Sequence, residues 1–278
     1  ALPPHFDEVA APSPLPVSRL SYSALAGYAR CGYRFHLERV AGLHATEETV
    51  PGGDEAGDIG ALARGTVVHE LLEAIDMRAP VVPDDDAIRA VIEAHGGGAS
   101  AETLADVRGM LRAFVASNLR ARLGAAARVR AEVPFAFNLA AADGGRSLLI
   151  TGYLDVLAAE TAGALVVDYK SDALEGREPA DLAEERYASQ RAIYALAALR
   201  SGAERVEVAY CFLERPGEVV SALFTSADVP ALERRLAKLA EGLVAGRFEP
   251  TQQPGRDICA TCPGRAALCS WPEERTLA

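Results

Sequence analysis

Asp155, Asp168 and Lys170 are charged residues set inside runs that otherwise look buried, in the stretch LLITGYLDVLAAETAGALVVDYKS from Leu148 to Ser171. Buried charge is costly unless it is paired or bound to a metal. Two apolar, β-rich runs flank Glu160-Thr161-Ala162-Gly163, which predicts a hairpin. Alternate side chains on a strand share a face, so Asp168 and Lys170 stand together, about 7 Å apart. A four-residue loop centred between Thr161 and Ala162 puts Asp155 opposite Asp168. A two-residue turn at Ala162-Gly163 puts it opposite Lys170. Directly opposed residues share a face, so either turn gathers all three groups, whereas an odd-length loop sends Asp155 to the other side. Two carboxylates on one patch can hold a divalent cation through hard oxygen ligands. A lysine beside them can position a water or stabilise charge on a phosphate. A buried Asp–Lys ion pair that only holds the hairpin would have the same pattern.

Other residues have chemical potential. His69 lies off the apolar stripe Val67, Val68, Leu71, Leu72, Ile75 of an amphipathic helix predicted over Gly65–Met77, on the side of Glu73 and Asp76. Gln190 and Tyr194 are neighbours on one helix face. Glu132 opens a predicted strand and is either a further acidic ligand or a solvated edge residue. The tail Cys259-Ala260-Thr261-Cys262-Pro263, with Cys269 beyond, reads C-x2-C-x6-C. Such a loop supplies thiolates, which bind iron–sulfur clusters or zinc four at a time. Cys31 is the candidate fourth ligand outside a strand interior, since Cys211 falls within a strand as core. A three-cysteine zinc site completed by a histidine is the alternative.

The elements that must position these groups can be read in order. Residues 1–17 contain Pro3, Pro4, Pro12, Pro14 and Pro16 and read as a stiff linker or tail. Ser18 to Leu43 reads as two short helices broken near Cys31-Gly32, with Ser21 as N-cap. Residues 44–60 read as an acidic loop, and 78–100 as a connection. A long helix from Glu102 to Leu123 carries Arg108, Arg112, Arg120 and Arg122, followed by Arg128 and Arg130. This basic stretch would either contact phosphates or form a solvated face. Strands are expected at Arg130–Leu139 and Glu204–Glu214, and helices at Asp181–Ser201 and over 228–246. At 278 residues, 50% of them hydrophobic, the chain can bury a large core. The charge of −11 disfavours a free-standing DNA-binding module, though not an enzyme that gathers carboxylates for metal. An odd cysteine count without an export signal argues against a disulfide framework. With no signal pattern and no apolar run near the length of a membrane span, a cytoplasmic chain without membrane contact is expected. The start at Ala1, without methionine, leads us to expect a processed chain or a piece of a longer one.

Together these motifs resemble the RecB-like branch of the PD-(D/E)XK nuclease superfamily, the type found as the C-terminal nuclease domain of helicase–nucleases, and its iron–sulfur subgroup. LSYSALAGYARCGYRFHLERVAGL resembles the opening segment with Cys31 as the first cluster ligand. GTVVHELLE resembles the histidine motif through His69, GYLDVL the first acidic motif through Asp155, and VVDYKS the D-x-K motif through Asp168 and Lys170. YASQRAIYALAA resembles the Q-x-x-x-Y motif through Gln190 and Tyr194. Cys31 is followed by Gly32 where the family commonly has proline, and the last cysteine gap is six residues where five is usual. The resemblance implies an α/β fold like that of restriction endonucleases, a mixed central sheet flanked by helices. It would occupy residues 18–278, with a helical insertion at about 66–125 and a cluster loop at 259–269. It implies Mg²⁺ or Mn²⁺ on His69, Asp155 and Asp168, and a [4Fe–4S] cluster on Cys31, Cys259, Cys262 and Cys269 joining the termini, with Zn²⁺ as alternative. It implies a DNA exonuclease acting on single-stranded ends, with a helicase in cis or in trans. A catalytically silent DNA-guiding scaffold and a free-standing exonuclease of the CRISPR type are the alternatives. No G-x-x-x-x-G-K-[ST] occurs, so this chain carries no P-loop of its own.

Overall fold

The structure, a computed structural model, describes residues 19–44, 61–140 and 147–277. The proline-rich segment 1–17 and nearly all of the acidic stretch 44–60 lie outside the described residues. By its internal contacts the chain divides into two units, one of Ala1–Thr49, Ala136–Thr151 and Glu233–Ala278, the other of Val50–Phe135 and Gly152–Leu232.

The second unit begins with four helices, α3 (Ala61–Glu73), α4 (Asp85–Ala94), α5 (Ala101–Val115) and α6 (Asn118–Ala125). The α3 stripe packs as its spacing predicts, with Val67, Val68 and Leu72 fully buried. Two expectations need correction here. Residues 78–100 are not a plain connection, because Asp84 caps α4 by accepting from Ala87 N at 2.9 Å. Such a cap stabilises a helix by about 1 kcal/mol, and Ile88 and Ile92 then bury against the core. The helix expected over Glu102–Leu123 is two helices. Ser117 caps α6 by accepting from Arg120 N, while the Arg120 side chain donates to the Val115 carbonyl that the break sets free.

The sheet of this unit is built from β2 (Arg128–Leu139), β3 (Leu148–Glu160), β4 (Gly163–Lys170), β5 (Arg205–Phe212) and β6 (Val220–Thr225). β3 and β4 are antiparallel, β4 and β5 parallel, and β5 and β6 antiparallel. β2 pairs with β3. Parallel strands need a crossover, and α7 (Pro179–Arg200) supplies it. Leu165, Val167 and Tyr169 of β4 pack on one face with α3–α6, where Cys211 is also buried, as expected of a core cysteine. Burial pushes its thiol up to about 12. Asp168 and Lys170 therefore point to the opposite face, in register with Tyr210 and Phe212 of β5.

The first unit holds β1 (Arg19–Ser21), parallel to the start of β3, followed by α1 (Tyr22–Arg30) and α2 (Gly32–Phe35). Ser21 caps α1 as expected, accepting from Ala24 N at 3.1 Å. The break falls at Cys31, whose Sγ accepts from Arg34 N at 3.4 Å and so caps α2. α8 (Val229–Val244), which begins in the other unit, leads through Gly246 (φ 68) to α9 (Arg256–Cys259) and α10 (Glu273–Thr276). Among the described residues no helix is long and apolar enough to cross a membrane.

Candidate active site and cysteine pocket

The β3–β4 turn decides the register of the two acidic motifs. Glu160 pairs with Gly163 and Val156 with Val167, leaving Thr161-Ala162 as the loop. The hairpin is thus centred between Thr161 and Ala162, and one further step sets Asp155 opposite Asp168. There the two strands part. Asp155 Oδ2, instead of a main-chain carbonyl, accepts from Tyr169 N at 2.9 Å.

Asp168 is 2% exposed and Lys170 9%, so their charges must be met inside the protein. Lys170 Nζ lies 2.6 Å from Asp168 Oδ2 and donates to Gln190 Oε1 at 2.9 Å. It also stands 3.9 Å from the centroid of the Tyr187 ring, a cation–π contact. The Gln190 amide donates to Asp168 Oδ1 at 3.0 Å and to the Tyr194 hydroxyl at 2.9 Å. Burial, with the Asp168 charge, raises the Tyr194 phenol well above its usual range, so it stays protonated.

His69 arrives from α3. Its Nε2 lies 3.0 Å from Tyr169 O, which can only accept, so that nitrogen carries the proton. Its Nδ1 faces Asp155 Oδ2 at 3.4 Å. Burial lowers the imidazole pKa, which favours a neutral ring with its lone pair on Nδ1. Burial, together with the facing Asp168 carboxylate, raises Asp155 well above the ordinary carboxylate range. Glu132 has φ 46, in a region that non-glycine residues rarely occupy. It lines a cleft of about 900 Å³ with His69, Glu73 and Ser171, and its pKa is raised by burial and by hydrogen bonding to Glu73. A second cleft of about 460 Å³ is lined by Glu73, Arg78, Arg128, Asp155 and Tyr169.

His69, Asp155, Asp168, Lys170, Gln190 and Tyr194 are therefore all brought together in one unit. Tyr187, beneath Lys170, was not singled out from the sequence. Its signal is its place three residues before Gln190 on the same helix. Part of the basic stretch is engaged elsewhere: Arg108 pairs with Asp85, and Arg122 with Glu160 and Glu207.

Among the described residues no three carboxylates, imidazoles or thiols converge as a formed cation site. Individual atoms nonetheless fit a hard cation. Asp168 Oδ2 is buried with no donor aligned to it despite the nearby ammonium, and His69 Nδ1 and Asp155 Oδ2, two atoms of the kind a divalent cation takes, face each other at 3.4 Å.

In the first unit, Cys31, Cys259, Cys262 and Cys269 line one small pocket of about 10 Å³ with Arg34 and Trp271. All four thiols are free, and Cys31 and Cys259 are buried. Side chains from α2 hold the tail in place. The Tyr33 hydroxyl donates to Leu268 O at 2.7 Å, and Arg34 donates to Thr261 Oγ1 at 3.1 Å and to the Ile258 carbonyl. Trp271 Nε1 donates to Thr251 O at 2.8 Å.

A profile of the PD-(D/E)XK nuclease superfamily matches residues 19–269. This chain belongs to that superfamily. Its relatives include an ATP-dependent helicase/nuclease subunit of Geobacillus thermodenitrificans, 32% identical over 168 residues, which cover 54% of this chain and 13% of that protein. The corresponding ATP-dependent helicase/nuclease protein of Bacillus thuringiensis subsp. konkukian is 29% identical over 179 residues, covering 57% and 14%. The chain thus spans about one seventh of the length of these curated relatives. Among solved structures, a candidate exonuclease from Eubacterium rectale aligns with a TM-score of 0.53 and 11% identity, covering 92% of this chain and 91% of that one. At that identity the likeness concerns the fold, and it agrees with a PD-(D/E)XK architecture of mixed sheet and flanking helices.

Proposed function

We propose that this chain is a metal-dependent DNA nuclease that hydrolyses phosphodiester bonds. It acts as an exonuclease on single-stranded ends that a helicase, in cis or in trans, delivers during repair and recombination. The observation that carries this reading is the buried network Asp168–Lys170–Gln190–Tyr194, set beside Asp155 and His69 at the point where two strands part. A hairpin that needed only a structural ion pair would have no use for a second carboxylate and an imidazole facing it.

His69, Asp155 and Asp168 would hold Mg²⁺ or Mn²⁺, two of them through hard oxygen ligands. A bound divalent ion would polarise the scissile phosphate and lower the pKa of its water. Lys170 is held by Asp168, Gln190 and the Tyr187 ring, and its fixed positive charge would stabilise the negative charge that develops on the phosphate and orient the attacking water. Gln190 holds the Asp168 carboxylate and the Tyr194 hydroxyl through its side-chain amide, and Gln190 and Tyr194 would line the site and hold the DNA strand.

The direct test is degradation of 5′- and 3′-labelled linear single-stranded DNA with Mg²⁺ or Mn²⁺, beside Asp168→Ala and EDTA controls. Wild-type cleavage should disappear in both, and the label pattern gives the polarity. Cleavage that survives Asp168→Ala, or a folded wild-type chain that leaves both labels intact even when a helicase feeds it, would sink the reading.

We also assign Cys31, Cys259, Cys262 and Cys269 to a structural [4Fe–4S] cluster, with Zn²⁺ as the alternative. Four free thiols lining one pocket support it by donor type. Cys259→Ala should lose the brown chromophore and melt at a lower temperature. A fully coloured, equally stable variant would refute the assignment, and a colourless wild type with bound zinc would turn it to the alternative.

A further inference from the structure

The face of the β2–β3 ladder beyond the acidic residues has a use that the hydrolytic network does not supply. A Cβ on Gly152 would lie 2.7 Å from the Phe135 ring, and the Ala127 N–H donates to Ala159 O, so β2 and β3 run antiparallel. Arg128 and Arg130 of β2 line one hollow of about 320 Å³ with Leu157 and Ala159 of β3 and with Ala198 and Ser201 of α7. Along β3, Leu157 and Ala159 alternate with Tyr153 and Asp155 and so share their face.

This face carries an ordered set of groups. Arg128 and Arg130 are exposed and have no carboxylate partner among the described residues. Arg128 also lines the cleft that Asp155 lines. Tyr153 is 59% exposed, while its strand neighbour Leu154 is 2% exposed. A large aromatic left in solvent two residues from Asp155 offers a π-face at about 7 Å along the strand. The arginines stand beside Leu157 and Ala159, on the other side of Asp155. In a chain of net charge −11, a polyanion needs local cations to approach a cluster of carboxylates.

We propose that a single-stranded polynucleotide lies along this face, with phosphates on Arg130 and Arg128, a nucleobase stacked on Tyr153, and Asp155 between them. This rests on the nuclease reading and deepens it. Arginines track the phosphate backbone, and aromatic stacking is open to any unpaired base. A base can reach Tyr153 only when it is not held in a duplex, so the track selects single strands.

The test is fluorescence anisotropy of a labelled oligothymidylate with the full chain in EDTA, over a range of salt. Arg128→Gln/Arg130→Gln should weaken binding at least tenfold at low salt. It should also flatten the slope of log affinity against log salt by about 1.4, about 0.7 for each phosphate contact. Tyr153→Ala should weaken binding about tenfold without changing the slope, and Tyr153→Phe should bind as wild type does. Wild-type affinity and slope in the arginine and alanine variants, or a preference for blunt duplex over single strand, would overturn the track. Because binding is read without metal or turnover, it is independent of cleavage. Unaltered binding with active wild-type protein removes the track alone, whereas altered binding with an inactive wild type removes the nuclease reading and leaves a binding face.

Discussion

Lys170→Met is expected to slow DNA cleavage by about a thousandfold and to destabilise the fold by about 3 kcal/mol. The two effects have separate causes. Asp168 is almost fully buried, and its charge is met chiefly by the Lys170 ammonium at 2.6 Å. Without that ammonium, an uncompensated carboxylate stays in the interior, and breaking a buried pair by removing one partner costs about 3–5 kcal/mol. The catalytic loss arises because a preoriented donor near developing phosphate charge contributes about 10²–10³ in rate. The double variant Asp168→Asn/Lys170→Met separates them. It removes the stranded charge, so melting should recover most of the loss, while cleavage should stay at background. Thermal melts of the double variant read the stranded charge, and single-turnover cleavage by folded Lys170→Met reads the donor: a Lys170→Met protein that cleaves at the wild-type rate would show that Lys170 serves the fold alone.

Gly163→Ala should lower stability by about 3 kcal/mol and reduce cleavage along with it. Gly163 has φ 137, a conformation that L-residues adopt only with strain of about 1–3 kcal/mol. An added Cβ would sit 2.5 Å from the Arg205 carbonyl oxygen, which belongs to backbone and cannot swing away. Overpacking of that kind costs a further 1–3 kcal/mol or so. The position also closes the β3–β4 turn, so relief by a shift in register would move Asp155 away from Asp168. Gly217→Ala, where nothing lies within 4 Å of the added carbon, is the matched control. A Gly163→Ala protein that melts and cleaves like wild type would show that the turn does not hold the site.

Much of this arrangement is legible in the sequence. Asp155, Asp168 and Lys170 could be gathered on paper because strand periodicity is strict and the turn residues lie between two clear apolar runs. The α3 stripe and the Ser21 cap follow from equally local rules. What is not legible depends on partners distant in the chain. The Ser117 break interrupts an apolar pattern that runs on at helical period, and only the packing of both halves against one core shows it. β1 has three residues, Arg19–Ser21, too few for any pattern. The short β6, Val220–Thr225, has only intermediate and exposed positions, so neither of its faces stands out as core. Tyr187 beneath Lys170 requires knowing how α7 crosses the sheet. Glu132, an ordinary strand-opening glutamate by sequence, turns toward the cleft through a backbone angle that its residue type does not announce.

The residues of the site differ in how soon folding can assemble them. The Asp155–Tyr169 bond joins groups 14 residues apart, within a hairpin that closes in about 1–10 μs. Gln190 reaches Asp168 across 22 residues, once α7 docks. His69 meets Tyr169 across 100 residues, and such a closure carries a larger entropic cost. Of the three contacts His69 therefore carries the largest closure cost, so loosening α3 should unseat the imidazole while Asp155 and Asp168 keep their hairpin register.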